Sequence, residues 1–261
     1  MDPSTFPTTG EPPALAPDAL VGAAVSARRW RPGLKSHPLH SEIFAPGGEG
    51  SGGALALALA LDMLRVEAEA AEEEARSGRS PKSREVLEQR SVLWVQDRAA
   101  LRLTGRPYRP GLPPMLRRRL IHVAAETPED TLFALEEGVR CRDLACVIGE
   151  IAGNPKALDF TASRRLTLTA ERHNVPLFLV RLDAAPDLSS ARMRWRVQAA
   201  ASPPPLWNAA APGPESWQAE LFRARAHPPG TWTLREEGDT LHALAASGEG
   251  KVAADTHIRS A

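Results

Sequence analysis

Tyrosine occurs once, cysteine twice and lysine only four times in a chain of 261 residues. Two cysteines, Cys141 and Cys146, cannot form a disulfide framework. Their spacing spans a helix end and a strand start, and the seven His are scattered without an HExxH pattern, which argues against zinc and implies no metal or other cofactor. No Gly-x-Ser-x-Gly elbow is present, so the sequence offers no hydrolase nucleophile of that kind. The longest apolar run, Ala54 to Leu61, falls well short of the ~18 residues a membrane span needs. With no cationic-then-apolar leader either, the expectation is a cytoplasmic chain without membrane contact. An excess of charge of one sign is also missing. Lys plus Arg and Asp plus Glu both total 32, so nothing draws the whole molecule toward nucleic acid.

What is present is an alternation of strand-like and helix-like segments. Residues 1–34 are rich in Pro, Thr and Ala and predict a flexible arm, with one short helix over Asp18 to Trp30. Residues 35–185 predict an α/β core. In it, branched and aromatic runs at Leu39–Ala45, Ser91–Val95, Leu120–Ala124, Leu144–Ile148 and Pro176–Leu182 alternate with helical segments. The Ala-Leu repeat from Ala54 reads as the start of a long helix rather than a strand, because both residues are strong helix formers and the pattern runs on to Arg76. Thr127, Pro128 and Asp130 have the spacing of a capping box opening a helix to Arg140, and a further helix is expected over Asp159 to His173. Strands apolar on both faces imply a mostly parallel sheet with helices on both sides. Residues 186–236 predict an antiparallel β extension built from Met193–Ala199, Trp217–Arg223 and Thr231–Arg235. The extension reads as separable from the core near Ala201, and residues 237–261 as a flexible tail.

The segment Gly47, Gly48, Glu49, Gly50, Ser51, Gly52, Gly53, Ala54 follows the first strand and opens the long helix. That is the setting in which backbone N–H groups cradle phosphate. A working phosphate loop ends in Lys and then Ser or Thr, which reach the phosphates and Mg²⁺. Gly53 and Ala54 stand in those places, and Lys35 and Lys82 lie outside the loop. The loop therefore reads as degenerate, and the chain as no enzyme.

The run His40-Ser-Glu-Ile-Phe-Ala-Pro-Gly-Gly-Glu-Gly-Ser-Gly-Gly-Ala-Leu-Ala-Leu57 resembles the first strand, phosphate loop and helix of the RecA recombinase core. Leu120 to Glu137 resembles the next strand and helix of that core, and Leu144 to Glu150 its Walker B strand, with Glu150 as the Walker B-like acid. Asp97 is the one acid after the second strand, where that family carries a catalytic glutamate. The chain also resembles the ImuA family of RecA-like accessory proteins of damage-induced mutagenesis. Trp94-Val-Gln96, Tyr108 to Leu112, Ala134 to Cys141, Leu158 to Leu166, Arg194 to Val197 and Trp217 to Trp232 carry that resemblance in order, over roughly residues 39 to 236. It implies a non-catalytic part in SOS translesion synthesis. The implied partners are an ImuB-like inactive Y-family polymerase homologue, RecA and an error-prone replicative-type polymerase. A weak RecA-like ATPase is the alternative.

Arg164, Arg165, Arg181, Arg192, Arg194 and Arg196 cluster around the ends of the fourth and fifth strands, where RecA supplies single-stranded-DNA loops. They read either as DNA or phosphate contacts, with Phe160 and Trp195 for stacking, or as ion-pair partners of Glu150, Asp159, Asp183 and Asp187. Arg117 to Arg119 reads as a solvated cap and Glu67 to Glu74 as a solvated helix face. Trp195, Trp217 and Trp232 are expected under the extension, whereas Trp207, in a Pro-rich loop, is the expected exposed partner anchor.

Overall fold

The computed structural model describes residues 38–77, 90–205, 207–208, 210–225, 227–237 and 240–245. The arm over 1–34 and most of the tail over 237–261 lie outside these residues. Nine strands form one sheet: β1 (His40–Ala45), β2 (Ser91–Asp97), β3 (Leu120–Ala125), β4 (Leu144–Ala152), β5 (Leu177–Leu182), β6 (Met193–Ala199), β7 (Ser216–Ala224), β8 (Gly230–Glu237) and β9 (Thr240–Ala245). Among the described residues four α-helices join them: α1 (Ser51–Arg76), α2 (Arg98–Thr104), α3 (Pro128–Arg140) and α4 (Phe160–His173). The strand order is β3-β2-β4-β5-β1-β6-β7-β8-β9, parallel from β3 to β6 and antiparallel beyond. The fold is thus α/β with a mixed sheet, mostly parallel, in an arrangement consistent with a RecA-like core.

Local sequence accounts for the helix boundaries. Thr127 caps α3 by accepting from the Asp130 N–H at 3.1 Å and donating to the Asp130 carboxylate at 2.7 Å, with Pro128 in the first turn, where a missing N–H costs nothing. Asp159 caps α4 through the Ala162 N–H at 2.7 Å, and Asn174 ends it in the left-handed conformation. Helix α2 was not expected. Asp97 caps it through the Ala100 N–H at 2.6 Å, so the acid that the RecA resemblance places at a catalytic position holds a helix start instead.

The two faces of the sheet bury separate apolar clusters. On one, α1 lies across Ile43, Trp94, Ile148, Val180 and the extension residues Trp195, Trp217, Leu221, Leu234 and Leu241. On the other, α3 and α4 cover Val95, Val147, Ile151 and Leu179. Trp195 and Trp217 are buried and Trp232 is partly buried, tilted against Trp195 with ring centroids 6.1 Å apart.

Three differences from the sequence reading follow from this sharing. Strand β6, expected in an antiparallel unit, pairs parallel with β1 and antiparallel with β7, so core and extension are one sheet. Truncation at Ala201 would bare part of the apolar cluster under α1, because that cluster draws residues from both sides of that point. Within the expected tail, Thr240–Ala245 forms β9, and the Arg65 guanidinium of α1 donates to Thr240.

His40 opens β1 fully buried, its Nδ1 2.7 Å from the Thr167 hydroxyl. Burial, then the Arg192 charge, outweigh Glu171 and push the imidazole down from 6.5 to about 3. The unfolded chain takes up a proton below pH 6.5 that the folded chain refuses, so stability is lost as pH falls through this window. Between pH 7 and pH 5 His40 should account for about 2 kcal/mol of loss. Urea denaturation of the His40→Gln variant should show that much less loss than the natural chain.

Candidate functional site

The glycine loop sits at the carboxyl end of β1, the position where open α/β sheets bind ligands. Gly50 adopts φ 65°, a left-handed turn that a side chain strains, and passes the chain into α1 with Ser51, Gly52 and Gly53 already helical. In an anion cradle the donors of this turn point at a ligand. Two of its polar groups meet carboxylates of the chain itself. The Gly47 N–H donates to Asp183 at 2.8 Å, and Asp183 is held in its own left-handed conformation at φ 50°. The Ser51 hydroxyl lies 3.4 Å from Glu49, and the same Glu49 oxygen accepts the Ala199 N–H at 2.8 Å, tying the loop to the end of β6. A phosphate entering here meets two negative charges before it meets the helix terminus.

The position of the missing lysine is closed as well. A Cβ on Gly53 would stand 2.8 Å from Glu150 Oε1 and 3.1 Å from the Trp94 ring. Glu150 is buried with both carboxyl oxygens in use. Oε1 accepts from Trp94 Nε1 at 2.8 Å, and Oε2 accepts from Gln96 Nε2 at 3.0 Å and from the Thr104 hydroxyl at 2.8 Å. Gln96 in turn meets His122 Nε2 through its own oxygen at 2.8 Å. Burial raises the Glu150 carboxyl above its usual range, against the lowering effect of these three donors. The Walker B-like acid is therefore the hub of an internal network across β3, β2 and β4, and its oxygens are turned to the chain's own donors.

Beside the loop lies a cavity of about 470 Å³ lined by Phe44, Pro46, Asp183, Arg196, Gln198 and Glu220, among others. Arg196 is its one basic residue among the described residues, and it is ion-paired with Glu220. No free cation is left there for a polyphosphate.

The other arginines are distributed by burial. Glu42, fully buried in β1, accepts from Arg194 Nε at 2.7 Å and from the Ser189 hydroxyl at 2.8 Å, with Arg181 4.0 Å away. Arg181 and Arg194 lie over the Phe44 ring at 5.6 and 5.1 Å, and Arg194 and Arg196 over Phe222 at 5.3 and 5.0 Å. Arg181 and Arg194 are thus interior groups, not nucleic-acid contacts. Arg165 pairs with Glu136 at 2.5 Å and Arg192 with Glu171 at 2.6 Å, while Arg164 is exposed without an ion pair among the described residues. Of the acids expected to pair with this set, only Asp187 does so, at 3.9 Å from Arg181. Asp159 and Asp183 serve backbone N–H groups and Glu150 its own network.

Arg117 and Arg119 donate to the carbonyls of Leu112 and Met115 and so fasten the turn before β3, which makes them more than a solvated cap. Glu67, in the acidic stretch of α1, holds Arg90 at 3.0 Å. Cys146 is buried, its thiol pushed up to about 12 by desolvation, and Cys141 is exposed. Trp207 is 80% exposed. Among the described residues no cluster of His, Cys, Asp or Glu is arranged to hold a metal, and no helix is long and apolar enough to cross a membrane.

Glu42 and Gly53 supply two tests. Glu42→Gln leaves buried Arg194 without a counter-charge and Arg181 with Asp187 alone, and chemical denaturation should show a loss of about 3–5 kcal/mol. Gly53→Lys gains about 1 kcal/mol of helix propensity. It also displaces a carboxylate whose buried hydrogen bonds contribute about 1.5–3 kcal/mol each. The net effect should be a lowered melting temperature with no ATPase activity gained. No protein-family model and no curated protein matches the chain.

Proposed function

We propose that the protein is a non-catalytic RecA-like accessory factor of damage-induced mutagenesis that acts by binding other proteins. The observation that carries the non-catalytic part is the occupied loop. The Gly47 N–H is taken by Asp183, Ser51 and the end of β6 by Glu49, and the lysine position faces Glu150 and Trp94. Phosphoryl transfer depends on preorganised positive groups around the transferring phosphate, and this loop presents acids. The partner assignment rests on the ordered resemblance to the ImuA family and names an ImuB-like inactive Y-family polymerase homologue first. RecA and an error-prone replicative-type polymerase are further partners.

Trp207 is the proposed anchor for the ImuB-like partner. It is a large aromatic side chain exposed in the loop between β6 and β7, the kind of residue that dominates binding energy once covered. Because the extension shares the core of α1, the point variant rather than a truncation is the informative one. Trp207→Ala should leave stability within about 0.5 kcal/mol, as surface changes do. In a pull-down with the purified ImuB-like subunit it should weaken binding at least tenfold. The natural chain should show no DNA-stimulated ATP hydrolysis. Turnover at the rate of a working recombinase, abolished by a change at Gly53, would establish the ATPase alternative instead.

A further inference from the structure

A second cavity, of about 210 Å³, lies on the α4 side of the sheet, away from the glycine loop. It is bounded by Phe160 at the start of α4, the strap Ser189–Arg192 leading into β6, and Arg223 to Arg225 at the end of β7. Three guanidiniums reach it. Arg192 is neutralised by Glu171, while Arg223 and Arg225 are exposed and form no ion pair among the described residues. Glu171 is the acid at this rim. Arg192, and with it the Arg225 charge, hold its carboxyl below the usual range, which places Arg225 within electrostatic reach. Arg223 and Arg225 thus stand without an ion pair among the described residues, and Glu171 is the carboxylate that the Arg225 charge reaches.

The apolar side of the cavity is just as specific. Phe160 is 46% exposed at its edge, and Leu188, next in the chain to the strap, is 76% exposed. The hydroxyl groups of Ser189 and Ser190 are engaged with Ser163, Thr167 and Glu42, so the strap is held in place from beneath. Cations beside exposed Phe and Leu, on a strap already ordered, form a small preorganised surface.

Two kinds of ligand carry the required negative charge. A nucleic-acid strand needs a continuous track of free cations, one for each phosphate neutralised. Beyond this cavity, Arg165 and Arg196 are each bound to a glutamate, Arg164 and Arg172 of α4 form no ion pair among the described residues, and Glu171, paired with Arg192, stands at the rim where a track would continue. In the cavity itself the two arginines without an ion pair, Arg223 and Arg225, are flanked by apolar surface that a phosphate backbone leaves bare.

We infer that this pocket docks an acidic segment of a partner protein, with carboxylates on Arg223 and Arg225 and one large apolar side chain against Phe160 and Leu188. The inference rests on the protein-binding reading above only in taking a protein as the partner. The ATPase and Trp207 measurements test that reading separately, because neither involves these residues.

The test is fluorescence anisotropy with the full chain and two labelled probes. One is a capped peptide with Leu-Phe between two runs of three Glu, and the other is a twelve-residue oligo-dT. The peptide should bind, and binding should fall several-fold as salt rises from low to moderate ionic strength. Arg223→Glu combined with Arg225→Glu should weaken it at least tenfold, and Phe160→Ala several-fold, with circular dichroism unchanged. A peptide with Lys in place of Glu should not bind. Absence of peptide binding overturns the proposal, as does equal affinity in the double variant. Oligo-dT binding more tightly than the peptide, with the same dependence on Arg223 and Arg225, overturns it in favour of a nucleic-acid site.

Discussion

The buried carboxylate of Glu42 holds together the part of the sheet on which everything else is mounted. It sits in β1 between β5 and β6 and neutralises Arg194 of β6 directly, with Arg181 of β5 beside it. Two interior guanidiniums and one carboxylate are a costly arrangement, since each ion gives up its hydration. Ser189 and the faces of Phe44 and Phe222 supply compensating contacts. This cluster lies where the parallel core meets the antiparallel strands. It fixes the register of that junction, because a one-residue slip of β6 would put Arg194 on the opposite, apolar face.

The same logic operates at the loop, one layer up. Strand register places Gln96 beside Glu150 and Trp94 beside Ile148, so the indole and the amide reach the carboxyl that the first turn of α1 faces. Once those donors are satisfied internally, a glycine at position 53 is a packing requirement: it is the residue that lets α1 approach the Trp94–Glu150 pair. The loop keeps a left-handed Gly50, while its Gly47 N–H and Ser51 hydroxyl meet carboxylates of the chain itself.

Most of the parallel core was legible because it is written locally. Branched runs mark β2, β4 and β5, and Thr127 with Asp130 marks α3 without reference to anything distant. Strand β9 was not legible, since after Thr240 its Leu-His-Ala-Leu-Ala run has no β-branched residue and owes its strand to pairing with β8. Helix α2 was missed because Asp97 was weighed only against the glutamate that the RecA resemblance expects there, and its capping chemistry was not read. At the site, the lack of Lys and of Ser or Thr at Gly53 and Ala54 could be read directly. The loop's fillers could not, because Trp94, Gln96, Thr104 and Glu150 meet only through the order of strands. The acids that pair with the arginines could not be read for the same reason: Glu42 and Arg194 are far apart in sequence and adjacent in the sheet.

Strand order also sets the sequence of events during synthesis. Strand β1 is the first of the described strands to be made, and its two neighbours, β5 and β6, begin at Leu177 and Met193. At ribosomal rates of about 5–20 residues per second, β1 and α1 wait on the order of ten seconds for the strands that complete them. During that interval the Ala- and Leu-rich face of α1, with Leu55, Leu59 and Met63, has no finished sheet to cover. The antiparallel strands β7 to β9, by contrast, pair with neighbours close in sequence and can close as soon as they emerge. The nascent chain is therefore most exposed to aggregation and to chaperone capture in its first half, and the last hairpins end that exposure by closing over the far end of the same helix.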